Sequence, residues 1–122
     1  MQKFTPTGQL LKRWGGTGTA PGSFKTQVGI GCDPAGFVYV VDHHNFRVQK
    51  FDNDGVWVSM WGTKGYGPYQ FESAHELACD RTGNIYICDY QESEGYIQKY
   101  TYQVRSATRP TAWGALKGRY RH

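Results

Sequence analysis

The chain has 122 residues, 39% hydrophobic and 16% aromatic, with 16 Gly and 5 Pro, a balance that excludes a disordered chain and suits short strands joined by tight turns. That length supports one modest domain, and an all-β domain of this size buries a core only if its edge strands are covered. The net charge of +4 lies at the end: residues 1–104 carry nine Lys and Arg against ten Asp and Glu, while Arg105, Arg109, Lys117, Arg119 and Arg121 follow without an acid.

In chain order, apolar residues alternate in short runs bounded by turn signals, with no segment of helical period and length. Residues 1–24 hold two such runs, ending in Trp14-Gly15. Four more are predicted at about 28–32, 37–41, 46–51 and 56–61. Asp33-Pro34-Ala35-Gly36 joins the first of these four to the second, and Asp52-Asn53-Asp54-Gly55 joins the third to the fourth. Both place Gly where a positive φ is expected and Asp where its side chain can bond the turn backbone, which marks hairpins. Asp52-x-Asp54-Gly55 also has the opening of a calcium loop, but no acid follows at the required distance, so it reads as a turn.

Set against itself at an offset of 47, the chain matches throughout: Phe4, Gly8, Trp14, Gly15 and Phe24 fall on Phe51, Gly55, Trp61, Gly62 and Phe71. Asp33, Gly36, Tyr39 and Asp42 fall on Asp80, Gly83, Tyr86 and Asp89; beyond Asp89 the offset becomes 49, and Val48-Gln49-Lys50-Phe51 falls on Ile97-Gln98-Lys99-Tyr100. A four-stranded unit at this period, ending in an aromatic-Gly pair, has the form of one β-propeller blade.

The residues Val40-Val41-Asp42, Asn45, Arg47-Val48-Gln49-Lys50-Phe51, Gly55 and Trp61-Gly62 resemble the NHL repeat, whose second strand ends in an Asp followed by Asn-x-Arg and an aromatic. The third repeat departs from it, with Glu94 and Tyr96 where Asn45 and Arg47 stand. The resemblance implies an all-β fold of four-stranded antiparallel NHL-type blades: residues 1–24 a half blade, 25–71 a full blade and 72–104 a third, with 105–122 a basic tail holding a candidate last strand. NHL propellers commonly close a ring of more blades than this, so the chain is an incomplete ring. It is expected either to be a fragment of a longer propeller or to assemble with identical chains, because unpaired edges and apolar blade faces need cover.

Cys32, Cys79 and Cys88 are too few for a disulfide framework and contain no CxxC pair, so they read as reduced, buried strand residues. No apolar stretch reaches the length of a membrane helix and no signal-peptide profile opens the chain, so the compartment is not legible.

In the blade reading, the loop after the second strand and the loop before the first share one rim. Asp42 to Phe46, His75-Glu76 and Asp89 to Tyr96 should therefore gather at one mouth of a central channel, where propellers bind ligands. His43, His44, Phe46, His75, Glu76 and Tyr90 are the candidate ligand-binding residues. His43 and His44 would point apart if strand geometry continued. The position of His75 resembles that from which the peptide-amidating lyase, an NHL-like propeller enzyme, presents one zinc-ligating His from a blade; Val28 holds that place in the preceding repeat, so a single chain offers one such His where a metal site needs three. Asp42, Arg47 and Asp89 read as hairpin-bracing repeat residues, and Trp14 and Trp61 as packing between blades.

No phosphate loop, nucleophile elbow or Ser/His/Asp order occurs, so no catalytic residue and no cofactor are assigned. The expected function is a non-catalytic binding or assembly module, partnered by further copies that complete the propeller and by a protein or small-molecule ligand. The alternatives are an RNA-binding NHL module, against which the near-neutral repeats weigh, and a metal-dependent lyase needing histidines from other blades.

Overall fold

Asp-Gly turns divide the chain into short antiparallel strands, and the computed structural model assembles these into stacked sheets. It describes residues 1–92 and 94–101, and the backbone of 104–106, 109–110 and 114–120. Strands β1 (Gln2–Phe4) and β2 (Leu10–Arg13) form a hairpin. A four-stranded sheet follows, with β3 (Gln27–Cys32), β4 (Val38–Asp42), β5 (Arg47–Phe51) and β6 (Trp57–Trp61) paired antiparallel in that order. These four agree with the predicted runs to within a residue at each end.

Two short strands, β7 (Thr63–Lys64) and β8 (Gln70–Phe71), pair in parallel on the way to the second sheet. That sheet contains β9 (Ala74–Cys79), β10 (Ile85–Gln91) and β11 (Glu94–Thr101). Its fourth strand comes only after a small hairpin of β12 (Val104–Ser106) and β13 (Arg109–Pro110), when β14 (Gly114–Tyr120) pairs antiparallel with β11. Pro110 has no N–H to donate to a ladder, which suits it to this side hairpin rather than the main sheet. Trp113, which could echo Trp14 and Trp61, lies outside the described residues. The described chain is all-β apart from one 3-10 turn, His43–Asn45, and no helix is long and apolar enough to cross a membrane.

The turns repeat as chemistry as well as sequence. Asp33 Oδ1 accepts from the Ala35 and Phe37 amides, both at 3.0 Å. Asp52 Oδ1 accepts from the Asp54 and Val56 amides, and Asp80 Oδ1 from those of Thr82 and Asn84, all at 2.9 Å. Gly36, Gly55 and Gly83 hold φ of 91°, 81° and 89°, the left-handed region that a Cβ disfavours. Asp52-x-Asp54-Gly55 is thus an Asx turn.

β4 is buried along its whole length because each of its faces meets a different neighbour. Tyr39 and Val41, with Val48 of β5, pack against Leu77, Ile85, Ile87 and Tyr100 of the second sheet and Phe71 of β8. Val38 and Val40 turn the other way, joining Phe24 and Phe51 against Met1 and Trp14. A strand covered on both faces loses the polar alternation of a half-exposed one, hence the continuous run Val38-Tyr39-Val40-Val41. Each of these buried side chains contributes about 1.5–3 kcal/mol of hydrophobic stabilisation.

Glycine sets the spacing where the two sheets are closest. A Cβ built on Gly29 would lie 2.5 Å from the His75 carbonyl oxygen, and one on Gly31 2.5 Å from Leu77 Cδ2. β3 therefore approaches β9 backbone to backbone. The opposite side of β3 is uncovered: Val28 and Ile30 are 38% and 55% exposed. This corrects the expectation that all three cysteines are buried. Cys32 is exposed on β3, while Cys79 and Cys88 are half-buried; all three are free thiols.

Candidate functional site

The polypeptide leaves β4 at Asp42 and turns through His43–Asn45 before Phe46, which adopts φ 55°. The tight 3-10 turn ends strand geometry at once, so His43 and His44 do not point apart; their rings meet edge to face with centroids 4.7 Å apart. His43 also reaches across to the second sheet, where its ring lies 4.6 Å from that of His75. His75 in turn stands edge-on to Tyr90, at 5.7 Å. Four of the six candidate residues, His44, His43, His75 and Tyr90, thus form a continuous line of rings across the junction of the two sheets.

Hydrogen bonds orient these rings. His43 Nδ1 lies 2.8 Å from the Ala74 carbonyl oxygen and His75 Nδ1 2.9 Å from that of Ser73. A carbonyl only accepts, so both Nδ1 atoms carry the proton, and in the neutral ring Nε2 is the acceptor. His44 Nδ1 pairs with Thr26 Oγ1 at 2.5 Å. The half-buried rings of His43 and His75, with the exposed His44 and Tyr90, present an aromatic, hydrogen-bonding surface at one end of the sheets.

Two candidates do not join them. The Phe46 ring lies under Lys64, whose Nζ is 5.4 Å from its centroid, because the left-handed backbone at Phe46 redirects its side chain. Glu76 follows His75 on a strand and so faces the other way; it sits opposite Cys88 in the ladder and helps raise that thiol's pKa, after the larger effect of burial. Among the described residues, no group of three or more His, Cys, Asp or Glu side chains is arranged to hold a metal ion.

Asp42 and Arg47 form a buried brace rather than an accessible ionic pair. Asp42 Oδ1 accepts from the Lys25 and Thr26 amides at 3.0 and 3.3 Å, and Oδ2 from Asn45 Nδ2 at 2.8 Å and Arg47 Nε at 3.0 Å. The Arg47 guanidinium also donates to the carbonyls of Thr19, Ala20 and Ser23, which pins the loop entering β3. In the second sheet Asp89 Oδ1 accepts from Glu72 and Ser73 amides at 3.1 and 2.7 Å. With Tyr96 in place of the arginine, Gln91 Nε2 completes that carboxylate at 2.9 Å. Trp61 packs on Tyr39 and Tyr100, and Trp14 on Phe51.

The sequence reading passed over two buried glutamines that do equal work. Gln49 accepts from the Gly22 amide at 2.8 Å and donates to the Ser23 carbonyl at 2.7 Å; Gln98 donates to the Gln70 carbonyl at 2.7 Å and accepts from Tyr100 at 2.6 Å. Their signal was their recurrence at the same repeat position, within Val48-Gln49-Lys50-Phe51 and Ile97-Gln98-Lys99-Tyr100. In comparison with known proteins, no family model matches the chain and no curated protein matches it.

Proposed function

We propose that this chain is a non-catalytic binding and assembly module built of NHL-type β-propeller repeats, which associates with further copies of itself. Supporting the repeat reading, two antiparallel four-stranded sheets stack face to face with the same Asx turns and the same carboxylate at the end of the second strand. The association rests on one contrast. Leu77 is 7% exposed beneath the neighbouring sheet, whereas Ile30, its repeat equivalent, is 55% exposed. Leu10 and Leu11 of β2, Val56 just before β6, and Val58 and Met60 of β6 are also exposed, and exposed apolar side chains of this kind favour association. The line of rings from His44 to Tyr90 is the surface for a small ligand or a peptide.

Light scattering on the purified chain across a concentration series tests the assembly. A mass that is a multiple of 13.8 kDa at micromolar concentration is expected. A well-folded monomer at high concentration would refute it. Deleting residues from 105 onward is not a neutral control, because that cut removes β14 from its sheet.

A further inference from the structure

We infer that the outer edge of β6 is a contact through which two copies of this chain pair, β6 against β6, antiparallel about a two-fold axis at Ser59. The inference rests on the proposed self-association and names one of its contacts. β6 is an internal strand, with β5 before it and β7 after it. It pairs with β5 on one side, and no described strand lies along its other edge. Trp57, Val58 and Met60 on it are 38%, 43% and 41% exposed, with Val56 just ahead at 58%.

The other outer strands of the chain carry charge. β2, the repeat equivalent of β6, holds Lys12 and Arg13, and β14, in the same place in the second sheet, holds Lys117 and Arg119. Like charges on an edge strand repel a second copy, which is how exposed edges are kept from pairing. β6 reads Trp57-Val58-Ser59-Met60-Trp61, and no charge occurs between Asp54 and Lys64. β2 and β6 share a bulge, at Leu11 and Val58, so it is charge that sets them apart. The residue a bulge adds is left out of the ladder, and the Val58 backbone is therefore open to a partner.

The flanks select a second copy as that partner. Asp54 and Lys64 are both exposed, and each lies five residues from Ser59. Antiparallel pairing centred on Ser59 sets Trp57 of each copy opposite Trp61 of the other, Val58 opposite Met60, and Asp54 opposite Lys64. Apolar side chains meet along the strand, and an acid meets a base at each end by the two-fold symmetry. A parallel arrangement would instead set Asp54 against Asp54 and Lys64 against Lys64. Two five-residue strands make a small contact, so the dimer should be reversible.

Sedimentation of the full chain across a concentration series at low salt measures the pairing. A dimer is expected to form as concentration rises, with amide exchange at residues 58–61 slowing as it fills. Val58→Lys should move the dimer midpoint to at least ~10-fold higher concentration, because it gives the edge a charge. That side chain is exposed, so the fold survives the change. Asp54→Lys and Lys64→Glu should each weaken the dimer several-fold, and the two together should restore it. Such rescue requires the residues to meet across two chains, since within one they flank opposite ends of β6. An oligomer indifferent to Val58→Lys, or a double reversal no better than either single change, overturns the β6 contact and leaves self-association standing. If Ile30→Lys abolishes an oligomer that Val58→Lys spares, association runs through β3 and the β6 contact falls. A chain that stays monomeric at every concentration refutes both.

Discussion

Asp42 Oδ2 accepts a hydrogen bond from Arg47 Nε at 3.0 Å with both side chains buried, and the pair joins the end of β4 to the loop entering β3. The repeat keeps the carboxylate at Asp89 but replaces the cation with Gln91, so the two sheets test one brace in a charged and an uncharged form.

Asp42→Ala should be the costlier of the two alanine substitutions. It strips five donors, the Lys25 and Thr26 amides and the Asn45, Arg47 and Gln49 side chains, of their acceptor and leaves the Arg47 charge buried without its carboxylate, a loss of about 3 kcal/mol. Asp89→Ala removes an acceptor from the Glu72 and Ser73 amides and from Gln91, with no cation stranded, and should cost about 1–2 kcal/mol. Urea midpoints of the two variants measure the difference; equal losses would show that the ion pair adds nothing to the brace.

Gly29→Ala should destabilise more than Gly31→Ala. The new methyl at 29 would meet the His75 carbonyl, fixed backbone, at 2.5 Å, whereas at 31 it would meet the movable tip of Leu77. Overpacking of the first kind costs about 1–3 kcal/mol and forces β3 and β9 apart. Thermal denaturation of both variants orders them, and a Gly29→Ala protein as stable as the parent would contradict this spacing of the sheets.

The three thiols should alkylate in a fixed order. Cys32 is exposed and should react first with iodoacetamide at pH 8, while burial pushes the Cys79 thiol up to about 11 and leaves little thiolate there. Cys88 is also raised by burial and should lag. Mass mapping of timed samples gives the order; Cys79 labelled alongside Cys32 in the folded protein would mean that β3 and β9 separate in solution.

Acid should weaken the second sheet through Asp80. The Asn84 side chain, followed by further hydrogen bonds from its turn, holds this carboxyl well below the usual range. A carboxyl lowered on folding stabilises the protein above its unfolded pKa of about 4, and that contribution is lost as pH falls through its folded value. Asp80→Ala should therefore lower the melting temperature at neutral pH and narrow the gap to the parent at the acid end. A gap that stays constant from neutral pH to pH 2 would dissociate the turn from this titration.

The sequence by itself determined the four strands β3–β6 to within a residue of their ends and the chemistry of the turns that join them, but not the short parallel pair β7 and β8. Alternation of period two and the Asp-to-Gly spacing act within one hairpin, and the repeat displayed both twice. The shared environment of Asp42 and Asp89 was legible for the same reason. Only the tertiary structure decided which strand completes the second sheet, because β14 returns to β11 across a hairpin that no local pattern announces. It alone also brought His43 to His75 while sending Phe46 to Lys64 and Glu76 to the far face. Those placements depend on how closely two sheets stack, and that distance is set by Gly29 and Gly31 lying against a strand more than forty residues away.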